Sequence, residues 1–120
     1  DNPVAGTNLM YTVHFYSCTH LKELADLAWS AYNNDVPIFV TEWGATPADG
    51  GASDKRVCER EADVWMRTLD DMNASHIAWK LDGCQDTSCL FRLGAPVDGP
   101  WTSDWLQGHG PYVVSKLLED

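Results

Sequence analysis

The stretch from Pro37 to Gly44, with the sequence Pro-Ile-Phe-Val-Thr-Glu-Trp-Gly, constrains the fold of this chain more than any other. A short run of Ile, Phe, Val and Thr between a proline and a glycine is typical of a buried parallel strand. Chemistry in folds with parallel strands is found at the carboxyl ends of those strands, where Glu42 would lie. Because burying an unpaired carboxylate is costly, Glu42 is the first candidate functional residue.

Strands and helices are predicted to alternate on either side of this stretch. Apolar residues recur every three or four positions in the helical segments, and β-branched and aromatic residues cluster in the strands. A strand, a helix and a second strand with short connections require a parallel pair. We therefore predict one α/β domain over residues 1–120, with strands near 10–16, 36–42 and 76–81 and helices near 20–33, 54–73 and 110–118. Ser53 or Asp54 is expected to cap the second helix, and residues 82–108 to form a long loop.

Alternation within the strands predicts which side chains share a face. His14 and Tyr16 lie on one face of the first strand near its carboxyl end, one strand before Glu42. A single histidine is more often a hydrogen-bonded core residue, whereas two polar rings next to a strand-end carboxylate favour a site. Regular alternation divides the central strand into two faces, Ile38, Val40 and Glu42 against Phe39, Thr41 and Trp43.

The charge balance narrows the class of partner. With 18 acidic and 8 basic residues, the chain has a formal net charge of −10, which disfavours nucleic acid and anionic membrane surfaces. Its apolar runs are shorter than the roughly 18 residues of a membrane-spanning helix. Six tryptophans are many for 120 residues, and flat aromatic rings suit stacking against sugars. We expect a secreted protein with a neutral substrate and no membrane or nucleic-acid partner.

Four cysteines indicate disulfides and an oxidising, extracellular setting. Four cysteines allow three connectivities. The short loop between Cys84 and Cys89 favours their pairing, which leaves Cys18 and Cys58 as the second pair. A zinc site built from Cys18, His20 and Cys58 is the competing interpretation, and the chain lacks the Cys-x2-Cys spacing that would support it. We predict no metal and no cofactor.

Three motifs resemble the strands of glycoside hydrolase family 5, the cellulase family. Ile-Phe-Val-Thr-Glu-Trp-Gly at 38–44 is similar to the family's nucleophile strand, and the segments 10–16 and 78–81 are similar to the strands before and after it. The resemblance extends from about residue 8 to residue 90. It implies a (β/α)8 barrel and retaining hydrolysis of β-1,4-glucan. Since such a barrel takes about 250 residues, this chain would form about three βα units from its C-terminal part, incomplete on their own.

The resemblance also assigns roles to individual residues. It implies that Glu42 is the nucleophile, that His14 and Tyr16 support it, and that Trp79 is a platform on which the sugar stacks. Trp43 would extend the aromatic lining, although alternation directs its side chain away from Glu42.

Two family features are absent from this sequence. Retaining glycosidases need a second carboxyl group about 5 to 5.5 Å from the nucleophile, and the Asn-Glu-Pro motif that supplies it in the family does not occur here. We therefore expect the isolated chain to be inactive or weak. Cys84 stands where family members carry a sugar-binding lysine, and Lys80 is expected to point away from Trp79.

Three rival interpretations stay open. The chain is alternatively a non-catalytic half-barrel that binds glucan through Trp79, Trp101 and Trp105, or part of a related β-mannanase or xylanase. A purely structural domain, with Glu42 paired to Arg56 or Arg92, ranks last. In the favoured interpretation the partners are a β-glucan polysaccharide and either the missing part of the barrel or a second copy of the chain.

Overall fold

Three parallel strands and three helices form the body of the protein. The computed structural model describes residues 3–119. In chain order the elements are β1 (Tyr11–Tyr16), α1 (Lys22–Tyr32), β2 (Ile38–Gly44), α2 (Glu59–Asp71), β3 (His76–Ala78), β4 (Gly83–Cys84), β5 (Phe91–Arg92), a 3-10 turn (Ser103–Trp105) and α3 (Gly110–Leu118). The main sheet has the order β1-β2-β3 with both pairs parallel, and β4 and β5 form a separate two-stranded sheet. No helix within 3–119 is long and apolar enough to cross a membrane.

The central strand contains a β-bulge. On β1 the chain advances two residues from Thr12 to His14, while the paired stretch of β2 advances three residues from Phe39 to Glu42. The same extra residue appears against β3, where the step from His76 to Ala78 faces the step from Val40 to Trp43. A bulge of this kind inserts one unpaired residue and reverses the alternation of side chains beyond it.

Because of this bulge, the predicted division of the β2 side chains between the two faces of the sheet is wrong. Thr41 and Glu42 both turn away from the helices, while Ile38, Val40 and Trp43 are buried against them. Strict alternation placed Glu42 with Val40, and Trp43 with Thr41. The extra residue changes the phase before Glu42, so the carboxylate reaches the open face and the indole enters the core.

The core lies between the sheet and the helices. Phe15 stacks on Trp65 with ring centroids 4.1 Å apart and lies 5.9 Å from the ring of Trp43. Leu69 and Val40 are also fully buried there. Burial of large side chains of this type stabilises a fold by about 1.5 to 3 kcal/mol each. The opposite face of the sheet is exposed, with Thr12, His14, Thr41 and Ile77 open to solvent.

Two predicted boundaries and one cap are corrected. The second helix begins at Glu59 rather than near 54, because Cys58 is its N-cap and the Asp54 carboxylate instead binds the backbone of Arg56, so neither Ser53 nor Asp54 caps the helix. The third strand ends at Ala78 because the backbone of Lys80 turns to pair with residues 88 and 90.

The segment 82–108, predicted as a long loop, holds β4, β5 and the 3-10 turn. Both favoured disulfides are present, Cys18–Cys58 and Cys84–Cys89. The first joins the loop after β1 to the start of α2. The second closes the small loop that precedes β5.

Candidate active site

Glu42 lies at the carboxyl end of β2 and is held by a tyrosine of the neighbouring strand. The Tyr16 hydroxyl donates a hydrogen bond to Oε1 of Glu42 at 2.5 Å. The Glu42 side chain is 23% exposed, so its second oxygen remains within reach of a ligand. The structure thus brings together two residues that the sequence placed at adjacent strand ends.

A polar chain runs from His14 across the open face of the sheet. Nδ1 of His14 lies 3.7 Å from Oε2 of Glu42, and Nε2 shares a hydrogen bond of 2.8 Å with the Thr41 hydroxyl. That hydroxyl is in turn 2.5 Å from the hydroxyl of Thr12. Sequence reasoning missed Thr41, because regular alternation directed it to the other face. A contact at 3.7 Å is too long for a hydrogen bond, so His14 lies beside Glu42 without being bonded to it.

The position of Tyr16 is fixed from two sides. Its backbone N–H donates to Nδ1 of His20 at 2.9 Å. Its ring passes over Gly44, where an added Cβ would lie 2.9 Å from two ring carbons. Only glycine leaves room for the ring, which explains the residue that ends the central strand.

Burial and Glu42 together keep the Tyr16 hydroxyl protonated. Burial is the largest cause that raises the pKa of Tyr16, and the hydrogen bond to Glu42 and its negative charge raise it further. A tyrosine with a raised pKa donates its proton to the hydrogen bond without losing it at neutral pH. The hydrogen bond therefore holds the carboxyl group of Glu42 in a fixed orientation.

Trp79 presents the exposed aromatic surface of this region. Its side chain is 43% exposed, and its backbone N–H donates to the carbonyl of Trp43 at 2.8 Å. This bond joins Trp79 to the residue that directly follows Glu42. The Lys80 ammonium lies over the Trp79 ring, 5.8 Å from its centroid, and binds Asp82 at 3.1 Å. The expectation that Lys80 points away from Trp79 is therefore wrong.

Trp43 is not part of the exposed surface. Its side chain is 1% exposed, and its indole N–H donates to Nδ1 of His76 at 3.1 Å. The edges of His109 and Tyr112 also meet the ring. The prediction that Trp43 extends the sugar-binding lining does not fit these contacts, because the bulge turns the indole into the core.

The sequence of this chain matches the model of a known protein family. The family model for cellulase (glycosyl hydrolase family 5) matches residues 1–85. The chain belongs to glycosyl hydrolase family 5.

Relatives and solved structures agree with this family assignment. The chain is 35% identical to endoglucanase A of Evansella cellulosilytica over 99% of its own length and 24% of that protein. It is 34% identical to an endoglucanase of Clostridium saccharobutylicum, over 98% of the chain and 25% of that protein. The chain thus spans about a quarter of the length of these curated relatives.

The fold prediction is also confirmed. The catalytic domain of Thermobifida fusca endoglucanase Cel5A, solved in complex with cellotetraose, superposes with a TM-score of 0.89 at 26% identity. The match covers 98% of this chain and 38% of that domain. The family 5 chain is therefore part of a (β/α)8 barrel, and the three parallel strands are the portion of the barrel that it contains.

Behind the strand ends of this family 5 chain, a buried histidine joins three segments. Nδ1 of His109 accepts a hydrogen bond from the backbone N–H of Ala45 at 3.2 Å, and Nε2 lies 2.8 Å from the carbonyl of Ser88. Nε2 therefore carries the proton, and burial lowers the pKa of the ring. His109 links the end of β2, the loop after β3 and the start of α3. No sequence pattern identified this role.

The disulfides leave no cysteine thiolates for a metal at either of two candidate clusters. The proposed zinc ligands Cys18 and Cys58 are joined to each other, so neither offers a thiolate. Asp82, Cys84 and Cys89 also cluster, and there too the sulfurs form a disulfide.

Arg56, one of the two cations proposed for a structural ion pair with Glu42, is paired elsewhere. The guanidinium of Arg56 binds Asp54. Within residues 3–119, the described partners of the Glu42 side chain are Tyr16 and His14. The structural ion-pair interpretation therefore has no contact to support it.

Proposed function

We propose that this chain carries the nucleophile of a retaining endo-β-1,4-glucanase, and that Glu42 is that nucleophile. The observation that supports this most is the hydrogen bond of 2.5 Å from the Tyr16 hydroxyl to Oε1 of Glu42, at the carboxyl end of the central strand. It holds one carboxylate oxygen in place, and the 23% exposure of the side chain leaves the other oxygen within reach of a substrate. Both relatives are named as endoglucanases, which favours β-glucan over mannan or xylan as the substrate.

We propose the double displacement of retaining glycosidases as the reaction. Oε2 of Glu42 attacks the anomeric carbon and forms a covalent glycosyl ester, while the bond to the leaving-group oxygen breaks and that oxygen takes a proton from a second carboxylic acid. Water then hydrolyses the ester, activated by the same second carboxylate. Tyr16 orients Oε1 throughout, and His14 lies against Oε2 at 3.7 Å, where it positions the carboxylate or a sugar hydroxyl.

Substrate binding is assigned to the exposed face of Trp79. A sugar ring packs its C–H groups on an aromatic face, and a 43% exposed indole offers that surface. The acidic chain, with a net charge of −10, suits a neutral polysaccharide. The two disulfides are consistent with an extracellular place of action.

The second carboxyl group is proposed to come from outside this chain. Glu23 lies on α1 and Glu59 and Glu61 lie in the first turn of α2, so these acids belong to helices rather than strand ends. The remaining barrel strands, or a second copy of the chain, would pair with the edge strands β1 and β3 and enclose the exposed face of the sheet. General acid catalysis contributes about a hundred- to ten-thousand-fold, so the isolated chain should hydrolyse cellulose weakly or not at all.

A substrate whose leaving group needs no protonation tests the role of Glu42 independently of the missing acid. A 2-deoxy-2-fluoro-cellobioside with a dinitrophenolate leaving group expels that group without protonation, and the fluorine slows hydrolysis of the ester. We expect release of dinitrophenolate and a mass increase of one fluorocellobiosyl unit on Glu42. The Glu42→Gln variant is the matched control, since amide and carboxylate have the same shape. No label on the unaltered chain would refute the nucleophile assignment.

The second candidate function is glucan binding without chemistry, and the exposed Trp79 ring is the observation that favours it. Under this alternative the chain binds cello-oligosaccharides, and binding survives Glu42→Ala while no label ever forms. Recovery of carboxymethylcellulose hydrolysis on adding the preceding strands of the barrel would instead favour the enzyme.

A further inference from the structure

We propose that His109 is a positioning residue that fixes the separation between Glu42 and Trp79. Its ring bridges the two segments of the chain that follow these residues. The inference rests on the proposed function, because it concerns how the nucleophile and the sugar-stacking ring of that function are held relative to each other. His109 acts through the backbone of the two segments rather than by contact with the substrate.

The ring of His109 makes one hydrogen bond to each of the two segments. Nδ1 accepts from the N–H of Ala45, three residues after the proposed nucleophile, at 3.2 Å, and Nε2 donates to the carbonyl of Ser88 at 2.8 Å. The same carbonyl of Ser88 accepts from the N–H of Lys80, directly after Trp79, at 2.7 Å. One imidazole therefore connects the end of β2 to the residue next to the stacking ring.

The His109 ring also lies next to the backbone of Trp79 itself. The side chain is fully buried, at 0% exposure. Burial lowers its pKa, and the carbonyl groups of Ser88 and Trp79 partly offset this effect as hydrogen-bond acceptors. The neutral ring has one acceptor nitrogen and one donor nitrogen, which is the combination that the bridge requires.

Direct backbone bonds join the two segments on either side of this bridge. Before it, the N–H of Trp79 donates to the carbonyl of Trp43 at 2.8 Å, and after it the N–H of Ser88 donates to the carbonyl of Gly50 at 2.9 Å. Between these two bonds, the N–H of Ala45 donates to the imidazole instead. The ring thus sets the spacing at the level of the strand ends, and its loss should shift the two segments without separating them.

The position of His109 is itself fixed by the glycine on each side. A Cβ on Gly108 would collide with the carbonyl oxygen of Thr87, and one on Gly110 with that of Leu90. The backbone N–H of His109 donates to the Thr87 carbonyl at 2.9 Å. Because the main chain packs this closely on both sides of the ring, the bridge is rigid, as support for a reacting group has to be.

The test compares labelling of Glu42 by the fluorocellobioside in His109→Leu and His109→Gln. Leucine removes both polar atoms of the bridge, whereas the glutamine amide offers one acceptor oxygen and one donor nitrogen in their place. Misplacement by about 1 Å costs up to about a hundredfold, and since the direct bonds remain, we expect His109→Leu to lower the maximal labelling rate by about tenfold. The reagent concentration for half-maximal labelling should stay nearly unchanged, because Trp79 is intact. His109→Gln should retain most of the rate.

His76→Leu is the matched control for loss of a histidine that accepts from a buried N–H. Nδ1 of His76 binds the indole N–H of Trp43 at 3.1 Å and is not part of the bridge. This variant should lower the urea midpoint of unfolding, as His109→Leu does, and leave the labelling rate of the folded chain unchanged. If His109→Leu does not fold, His109→Asn replaces it. Its amide, one methylene shorter than that of glutamine, reaches Ala45 but not Ser88, and we expect the same slow labelling.

Other results of these measurements overturn the inference. An unchanged labelling rate in His109→Leu would refute it and leave the hydrolase proposal intact. Equal slowing in His76→Leu, or no recovery in His109→Gln, would mean that packing of the core governs the rate and that the bridge does not.

Nuclear magnetic resonance decides the inference separately if the unaltered chain takes no label, a result that would refute the hydrolase proposal. The amide signals of Ala45 and Lys80 and the indole signal of Trp79 should shift together in His109→Leu and return in His109→Gln. A shift confined to Ala45 would show that the ring does not hold the two segments together.

Discussion

The ring of Tyr16 lies directly over the α-carbon of Gly44, so that a methyl group at residue 44 would stand 2.9 Å from Cδ1 and Cε1 of the ring. The same ring carries the hydroxyl that binds Glu42. The final residue of the central strand therefore controls the carboxylate two positions before it through a side chain of the neighbouring strand.

Gly44→Ala should push the Tyr16 ring outward and lengthen its hydrogen bond to Glu42. We expect slower labelling of Glu42 by the fluorocellobioside and a loss of about 1 to 3 kcal/mol in the free energy of unfolding, the usual cost of overpacking. Gly6→Ala is the control, because a Cβ there meets only the flexible side chain of Leu9. Equal labelling rates in Gly44→Ala and the unaltered chain would contradict the positioning role of the ring.

Tyr16→Phe removes the donor to Glu42 and keeps the ring. Without this hydrogen bond the carboxylate is no longer held in its orientation, and misplacement of a reacting group by about 1 Å costs up to about a hundredfold, so the labelling rate should fall by roughly ten- to a hundredfold. Tyr11→Phe on the same strand is the matched control, since among residues 3–119 the hydrogen bonds of the Tyr11 hydroxyl are with the backbone of Val4. Stopped-flow detection of dinitrophenolate measures both rates. A similar decrease in the two variants would mean that the effect is not specific to Glu42.

Most of the fold was predictable from local patterns, and the central exception has a physical cause. The segments of β1 and β2 stand out in the sequence because apolar and β-branched residues are concentrated there. Whether Glu42 or Trp43 faces the core depends on a single unpaired residue in β2. A bulge is a property of pairing between strands, so the sequence of one strand does not reveal it.

Contacts between residues far apart in the chain were the second feature that the sequence did not predict. His109 binds the backbone of Ala45 and the carbonyl of Ser88, from segments 64 and 21 residues away. Lys80 folds over Trp79 instead of following the alternation expected of a strand, because the strand has already ended at Ala78. Neither contact has a local signature.

Acid should destabilise the chain through His109, which is buried, and His76, which is half-buried. Burial lowers the pKa of His76 and of His109 below the ordinary value of 6.5. As the pH falls below about 6.5, the unfolded chain therefore binds protons more readily than the folded chain does. The free energy of unfolding decreases in that range, and the full stability is present above it. Protonation would also remove the acceptor nitrogens that bind Trp43 and Ala45.

Urea unfolding at about pH 7.5 and about pH 5 measures this effect, with a lower midpoint expected at the acid pH. His76→Gln should reduce the difference between the two midpoints. His14→Gln serves as the control for replacing an exposed imidazole with an amide. A midpoint that rises on acidification would show that the buried rings do not govern the acid response.

The two disulfides should differ in their contribution to stability. Cys18–Cys58 closes a loop with a sequence separation of 40, and Cys84–Cys89 one with a separation of 5. In the chain-entropy account a cross-link restricts the unfolded state in proportion to the logarithm of loop length, which gives about 4 kcal/mol for the long loop and about 2 kcal/mol for the short one.

We therefore expect the double variant Cys18→Ser, Cys58→Ser to unfold at a clearly lower urea concentration than Cys84→Ser, Cys89→Ser. The two pairs of substitutions serve as controls for each other, since each replaces two sulfurs with two hydroxyls. The long cross-link also joins the loop after β1, which follows Tyr16, to the N-cap of α2. Its loss should slow the labelling of Glu42 as well, and an unchanged rate would mean that His20 and Gly44 suffice to hold Tyr16 in place.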